Sequence, residues 1–121
     1  MRLTTTVPGV KIVSEANLRQ HWAARKRRKD QQQHHAHLAL VTLGKDARRA
    51  VIASPTIRVR LVRLGGRRID SDNLAGGFKG VRDTVAKWAC RDDGSLSYEW
   101  EYGQEASSTP GFRIEIETVQ P

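Results

Sequence analysis

One continuous unit, a strand pattern followed by a turn and a helix pattern, restricts this chain to a fold that mixes helices and strands. Residues 56–64 alternate between apolar side chains and arginines, as in a strand with one buried face. Gly65-Gly66 then predicts a turn. From 73 to 88, apolar residues recur at the spacing of one buried helix face, namely Leu74, Phe78, Val81, Val85 and Trp88.

Three further segments predict strands, and together they indicate an α+β domain. Residues 3–13 alternate weakly and are interrupted near Pro8-Gly9. Residues 96–102 present an aromatic side and an acidic side, and residues 112–117 alternate again after a polar loop at 103–111. We expect the last two strands to pair as a hairpin. The length of 121 residues favours a single domain over 1–121, with a small mixed sheet of about four strands and two main helices.

The longest segment free of Gly and Pro, from Ser14 to Leu43, predicts a long basic helix. Its apolar seam is narrow and consists of Leu18, Trp22, Ala36, Leu38 and Val41. The centre, Arg25–Lys29, is entirely cationic, so it predicts a helix that projects, lies along a groove or contacts a polyanion. Residues 45–54 predict a loop in which Arg48 and Arg49 are mobile.

The charge of this chain is typical of a nucleic-acid-binding protein, although an ordinary basic protein is the alternative. The formal net charge is +8 and the isoelectric point is about 10.4. The basic residues concentrate before residue 92 and the acidic ones after it, which predicts one positive face. Cys90 is the single cysteine, no apolar run is long enough for a membrane span, and no signal peptide pattern is present. We therefore expect a soluble, cytoplasmic protein.

The loop after the first clear strand holds acidic side chains within this basic chain. Asp70 and Asp72, with Asp93 from a later turn, would supply the oxygen ligands that Mg²⁺ prefers. Two such carboxylates point the same way if the backbone is extended. The alternative is structural, in that Asp72 caps the helix, Asp93 fills the Asp-Gly turn and Asp70 pairs with Arg68.

Two features of the following helix bear on this site. On a helix that starts at Asp72, Lys79 and Asp83 return to the same stripe, where Lys79 could approach a phosphate. A simple surface pair between Lys79 and Asp83 is the alternative. Gly76-Gly77 inside a helix is unfavourable, which predicts the close approach of another backbone, a subunit or a ligand.

The order of these motifs resembles the RusA family of Holliday junction resolvases. That family's pattern is Asp-x-Asp-Asn-Leu, then Lys-x-x-x-Asp on a helix, then Asp-Asp, and here it corresponds to Asp70–Leu74, Lys79–Asp83 and Asp92-Asp93. The chain length, the strand before the motif and the two strands after it are also similar, and Asn17 with Arg19 and His21 resembles an earlier family motif. One feature departs from the pattern, since the lysine lies three residues later than in the usual motif, about 4.5 Å along a helix.

The resemblance implies a symmetric homodimer, of bacterial or phage origin, that nicks four-way DNA junctions with Mg²⁺ or Mn²⁺. The implied metal carboxylates are Asp70, Asp72 and Asp93, and the implied catalytic lysine is Lys79. Further candidates are Asp92, which competes with Asp93 for the metal, together with Asp83 and Asn73. The residues expected to contact DNA are Arg19, His21, Arg25, Lys26, Arg27, Arg28, Lys29, Arg67 and Arg68.

The remaining ring side chains point to no separate site. The histidines lack the cysteine partners or the His/acid spacing of a zinc site. Trp22, Trp88 and Trp100 are interpreted as core or dimer contacts. Two other functions stay open, namely a non-catalytic nucleic-acid-binding module, and a nuclease that acts on flaps or RNA.

Overall fold

The computed structural model describes residues 1–14, 22–92 and 94–119, and within them it shows an α+β fold. The fold class predicted from the sequence is therefore confirmed. The elements in chain order are β1 (Arg2–Pro8), α1 (Trp22–Val41), α2 (Lys45–Ala53), β2 (Thr56–Gly65), α3 (Ser71–Gly77), α4 (Lys79–Trp88), β3 (Tyr98–Ala106) and β4 (Gly111–Val119).

The four strands form one sheet in the order β1-β4-β2-β3. Strand β4 is antiparallel to both β1 and β2, and β3 is parallel to β2. The predicted hairpin of β3 with β4 is therefore wrong, because β2 lies between them. Parallel neighbours need a crossover connection, and α3 and α4 supply it between β2 and β3.

The core lies between the inner face of the sheet and the helices. Ile57, Val59 and Leu61 of β2 are fully buried, as the alternation predicted. The predicted helix face is also buried, at Leu74, Phe78, Val81, Val85 and Trp88. The Phe78 ring packs 6.1 Å from Tyr102 and 6.3 Å from Phe112, measured between centroids. This contact joins the crossover to both β3 and β4.

The outer face of the sheet is a layer of paired charges. Arg58 lies 2.9 Å from Glu99 and 3.7 Å from Glu117, and Arg60 lies 3.7 Å from Glu115. Arg113 bonds to both Glu105 and Glu115, and these hydrogen bonds raise its pKa. The same bond from Arg113 lowers the pKa of Glu105. The glutamates of β3 and β4 thus lie beside arginines on this face, rather than on the helical side.

Apart from Ala36, helix α1 buries a different stripe from the predicted one. Its buried residues are Gln32, Ala36 and Leu40, whereas Trp22, Leu38 and Val41 are exposed. Gln32 is tolerated on this stripe because its Nε2 donates a hydrogen bond to the Lys11 carbonyl at 3.0 Å. Leu18 lies outside the described residues. No helix in the described parts of the chain is long and apolar enough to cross a membrane.

Residues 45–53 form helix α2, so the predicted loop is wrong. Only Val51 of this helix is buried, which leaves too few apolar positions for a visible period. The guanidinium of Arg91 donates to the carbonyls of Val51, Ile52 and Ser54 and so covers the end of the helix. Arg48 is also held, because its Nε donates to the Trp88 carbonyl at 2.8 Å.

The predicted helix from 73 to 88 is divided at Phe78 into α3 and α4. The hydrogen-bond ladder continues through the break, since the Phe78 amide bonds to Leu74 and the Arg82 amide bonds to Phe78. The prediction of a close approach at the glycine pair is correct for Gly77. A Cβ there would lie 2.6 Å from the Val13 carbonyl oxygen, whereas a Cβ at Gly76 would meet open space.

The two adjacent glycines should therefore respond in opposite directions to alanine. Gly77→Ala should lower the free energy of unfolding, because the Val13 backbone would have to move. Gly76→Ala should raise it by up to about 1 kcal/mol, because alanine is the better helix former. Urea denaturation of both variants checks this, and equal effects at the two positions would contradict the observed packing.

Candidate active site

The loop that carries the first aspartate is held by side chains from elsewhere in the fold. The amide of Ile69 donates to Oε1 of Gln104 at 2.9 Å, and Nε2 of Gln104 donates to the Ile69 carbonyl at 2.7 Å. Arg63 donates from Nη1 to the Arg67 carbonyl at 2.7 Å and from Nε to the Ile12 carbonyl at 2.9 Å. These four bonds determine where Asp70 enters the next helix.

Asp70 is the N-cap of α3. Its Oδ1 accepts a hydrogen bond from the Asn73 amide at 3.0 Å, so Asp70 rather than Asp72 caps this helix. The side chain of Asn73 is half-buried. Because Asp72 already lies in the first helical turn, the backbone is not extended from Asp70 to Asp72, so the condition for the two carboxylates to point the same way is not met. Both carboxylates are exposed at the same end of the helix.

The two aspartates have the chemistry of a partial magnesium site. The Asp72 carboxylate has no hydrogen bond or ion pair with any described residue, and the Asp70 bond uses only one carboxylate oxygen. Mg²⁺ usually binds one or two carboxylates and retains several waters, so these oxygens fit such an ion. Within 1–14, 22–92 and 94–119, no three His, Cys, Asp or Glu side chains form a group that could hold a metal. Asp93 lies outside those ranges.

Lys79 lies beside the basic run of α1. A cavity of about 200 Å³ is lined by Arg25, Lys29 and Lys79, with Gln32 and three glycines. A Cβ at Gly80 would lie 3.1 Å from Cγ of Lys29, so the absence of a side chain lets the two helices approach closely. Gly76, which also lines the cavity, is one helical turn after Asp72. The fold thus brings three cations to the face of α3 that carries Asp72.

Asp83 and Asp92 line a second cavity, of about 670 Å³, farther along α4. Asp83 lies 3.9 Å from Nζ of Lys29, so the predicted surface pair with Lys79 is replaced by a pair between helices. Asp92 accepts a hydrogen bond from the Gly94 amide at 3.1 Å, as in a turn. The ten residues of α4 span about 15 Å, and they separate Asp92 from Asp70 and Asp72 along the chain.

Most of the residues predicted to contact DNA lie within the described parts of the chain. Arg67 and Arg68 are exposed in the loop before Asp70, and Arg25–Lys29 occupy the exposed first half of α1, with Arg28 half-buried. Lys26 pairs with Asp30 at 3.0 Å. Asn17, Arg19 and His21 lie outside the described residues. The structure adds Gln104 and Arg63 as supports of the loop, and no local pattern could have found Gln104 because its partner is 35 residues away.

Removal of the Gln104 side-chain amide should loosen this loop. Gln104→Leu loses both bonds to Ile69, so we expect the free energy of unfolding to fall by about 1–3 kcal/mol and the Ile69 amide to exchange faster with solvent. Hydrogen exchange measured by NMR checks this. Gln31→Leu, at an exposed position of α1, serves as the control and should leave Ile69 unchanged. Unchanged exchange in Gln104→Leu would show that Arg63 alone holds the loop.

Comparisons with protein families, curated proteins and solved structures found no match for this chain. The resemblance to the RusA family therefore rests on three short motifs, Asp70–Leu74, Lys79–Asp83 and Asp92-Asp93, with the looser one around Asn17.

Proposed function

We propose that this protein is a metal-dependent endodeoxyribonuclease of the RusA type, which cuts four-way DNA junctions by paired nicks. The observation that carries the proposal is the meeting of Arg25, Lys29 and Lys79 in one cavity, on a face of α3 that begins with Asp72. Cleavage of a phosphodiester needs cations near its oxygens and carboxylates that hold a metal, and here Asp72 begins the face of α3 on which Gly76 lines the cavity.

The three cations would bind and position the DNA phosphate at which cleavage occurs. Lys29 and Arg25 project from α1, while Lys79 begins α4, so the phosphate is approached from two helices. Gly76 presents backbone without a side chain at this cavity and has open space beside it, which allows a DNA strand to come close. In this arrangement Lys79 balances the charge that develops on the phosphate during cleavage.

Asp70 and Asp72 would hold Mg²⁺ or Mn²⁺, whereas Asp93, the third carboxylate of the family motif, directly follows Asp92, whose turn lies at the other end of α4. When bound, such an ion neutralises phosphate charge and lowers the pKa of a water molecule. The Asp70 cap keeps one oxygen towards the helix, so its other oxygen is the one left for a ligand. Asp72 has both oxygens available, as far as the described residues are concerned.

A homodimer would give two such sites, which matches the two-fold symmetry of a four-way junction and the paired nicks. The net charge of +8 favours binding to the phosphates of the arms, and these contacts do not depend on base sequence. The protein would thus recognise the shape of the junction.

A non-catalytic binding module is the second candidate. The observations that favour it are the cap made by Asp70 and the turn made by Asp92, because both are ordinary structural uses of an aspartate. The exposed carboxylate of Asp72 has no such use within the described parts of the chain, and it is therefore the residue to change.

Asp72→Asn should abolish cleavage of a labelled four-way junction in Mg²⁺ while leaving binding intact. Changes to the partners of metal ligands cost about 10–100-fold, so we expect a loss of at least about 100-fold for a ligand itself. Asp46→Asn is the matched control, since Asp46 also lies in the first turn of an exposed helix. Binding by the wild-type protein without nicks in Mg²⁺ or Mn²⁺ would support the module instead. Flap and RNA substrates, run in parallel, test the other targets.

Removing the two positive charges with which α1 lines the cavity at Lys79 should lower the affinity for DNA and make that affinity depend less on salt concentration. For Arg25→Gln/Lys29→Gln, the slope of log K against log salt should fall by about 2, one for each lost phosphate contact. The control is Arg2→Gln/Arg58→Gln, which removes the same charge from the outer face of the sheet. Fluorescence anisotropy at several salt concentrations measures both. An equal loss in the control would mean that net charge alone drives binding.

A further inference from the structure

A large cleft lies at the far end of the groove between α1 and α4, where α2 begins. Its volume is about 630 Å³, within the range of ligand-binding pockets. The cleft is lined by Gln33, His34, His37, Val41, Gly44, Lys45, Arg48, Thr84, Lys87 and Trp88. None of these is a candidate for cleavage or for binding the junction arms.

The lining is basic. Lys45, Arg48 and Lys87 carry fixed positive charges, and His34 and His37 add two exposed imidazoles. Among the described residues that line the cleft, none is an Asp or a Glu. Arg48 is held in place by its bond to the Trp88 carbonyl and by Nη2, which lies 3.2 Å from Sγ of Cys90. The cleft therefore selects an anion.

The cleft also has an apolar part. Val41 is 56% exposed although it is a large aliphatic side chain, and Trp88 contributes to the wall although it is only 6% exposed. A free phosphate would use the cations and leave this surface in water. A nucleotide combines a phosphate with a flat base, so it would use both parts. In a duplex the base faces are stacked and hidden, which favours an unpaired nucleotide.

The cleft is continuous with the candidate active site. Lys29 lines both the cavity at Lys79 and the cavity at Asp83, while Gln33 and Lys87 line both that cavity and the cleft. From Arg25 to Val41 the groove follows α1 for about 24 Å. Two acidic residues lie in its middle, namely Asp83, which pairs with Lys29, and Asp92, which accepts a hydrogen bond from the Gly94 amide, and Lys87 and Arg91 line the same cavity. A strand that leaves the active site therefore has a largely cationic path to the cleft.

We infer that this cleft binds an unpaired nucleotide of single-stranded DNA, and that the groove leads the strand there from the candidate active site. The inference extends the proposed function. That the DNA strand comes from the candidate active site rests on that function. The binding itself requires only the cleft. It assigns a role to Lys45, Lys87 and Val41, which the family motif does not contain.

The test is the binding of a labelled oligothymidine of about 12 nucleotides, within the site sizes of single-strand binders, in EDTA. Fluorescence anisotropy at several salt concentrations gives the affinity and the salt slope. Lys45→Gln/Lys87→Gln should weaken binding and lower the slope by about 1.4, which corresponds to about 0.7 for each single-strand contact. A strand of the same length with abasic sites should bind the wild-type protein at least about 5-fold more weakly, because the base contact is lost. Arg2→Gln/Arg49→Gln, which removes two exposed charges outside the cleft, should change the slope less.

Three results would overturn the inference. The first is unchanged affinity and slope in Lys45→Gln/Lys87→Gln. The second is equal binding of the abasic strand and the oligothymidine, which would leave only a phosphate site. The third is a change of subunit number in that variant by light scattering, which would make the cleft a contact between copies of the chain. The binding assay contains no divalent cation and measures no cleavage. Its outcome therefore does not depend on the outcome of the Asp72→Asn cleavage test.

Discussion

The packing of the α3–α4 crossover on the sheet is the interaction on which the rest of the structure depends. Phe78 sits at the junction of the two helices, fully buried between Tyr102 and Phe112. Because this crossover joins parallel neighbours β2 and β3, its first residue follows the end of β2 and its last precedes β3. The Asp70 loop and the Asp92 turn are therefore held at opposite ends of one buried element.

Segregation of charge is the second consequence of this architecture. The glutamates of β3 and β4 lie beside arginines on the outer face of the sheet, since their apolar neighbours must face the core. The helical side retains a net positive charge, and helix α1 contributes five Lys/Arg against one Asp. A polyanion would thus be drawn to the helices, where the proposed site and the cleft lie.

Much of the fold could be predicted from local patterns, but the pairing of strands could not. The period of β2 and the buried face of α3–α4 were readable because many apolar side chains repeat at one spacing. Helix α2 has a single buried residue, Val51, so its sequence resembles that of a loop. The predicted stripe on α1 was wrong except at Ala36, because the true stripe includes the polar Gln32, whose burial is allowed by a hydrogen bond to the Lys11 carbonyl 21 residues away. The same holds for the site, since the aspartates were visible as a motif but their support by Gln104 was not.

The sequence by itself determined the fold class, the core faces of β2 and of the crossover, and the presence of aspartates within a basic chain. These are local properties, set by side-chain period and charge. Only the tertiary structure decided that β2 separates β3 from β4, that Asp70 caps α3, and that Arg25 and Lys29 meet Lys79. Strand order and the meeting of helices depend on contacts between residues far apart in the chain, which arise when apolar faces are buried together. Which aspartate caps α3 depends on where that packing lets the helix begin, because Asp70 and Asp72 are both suitable N-cap residues.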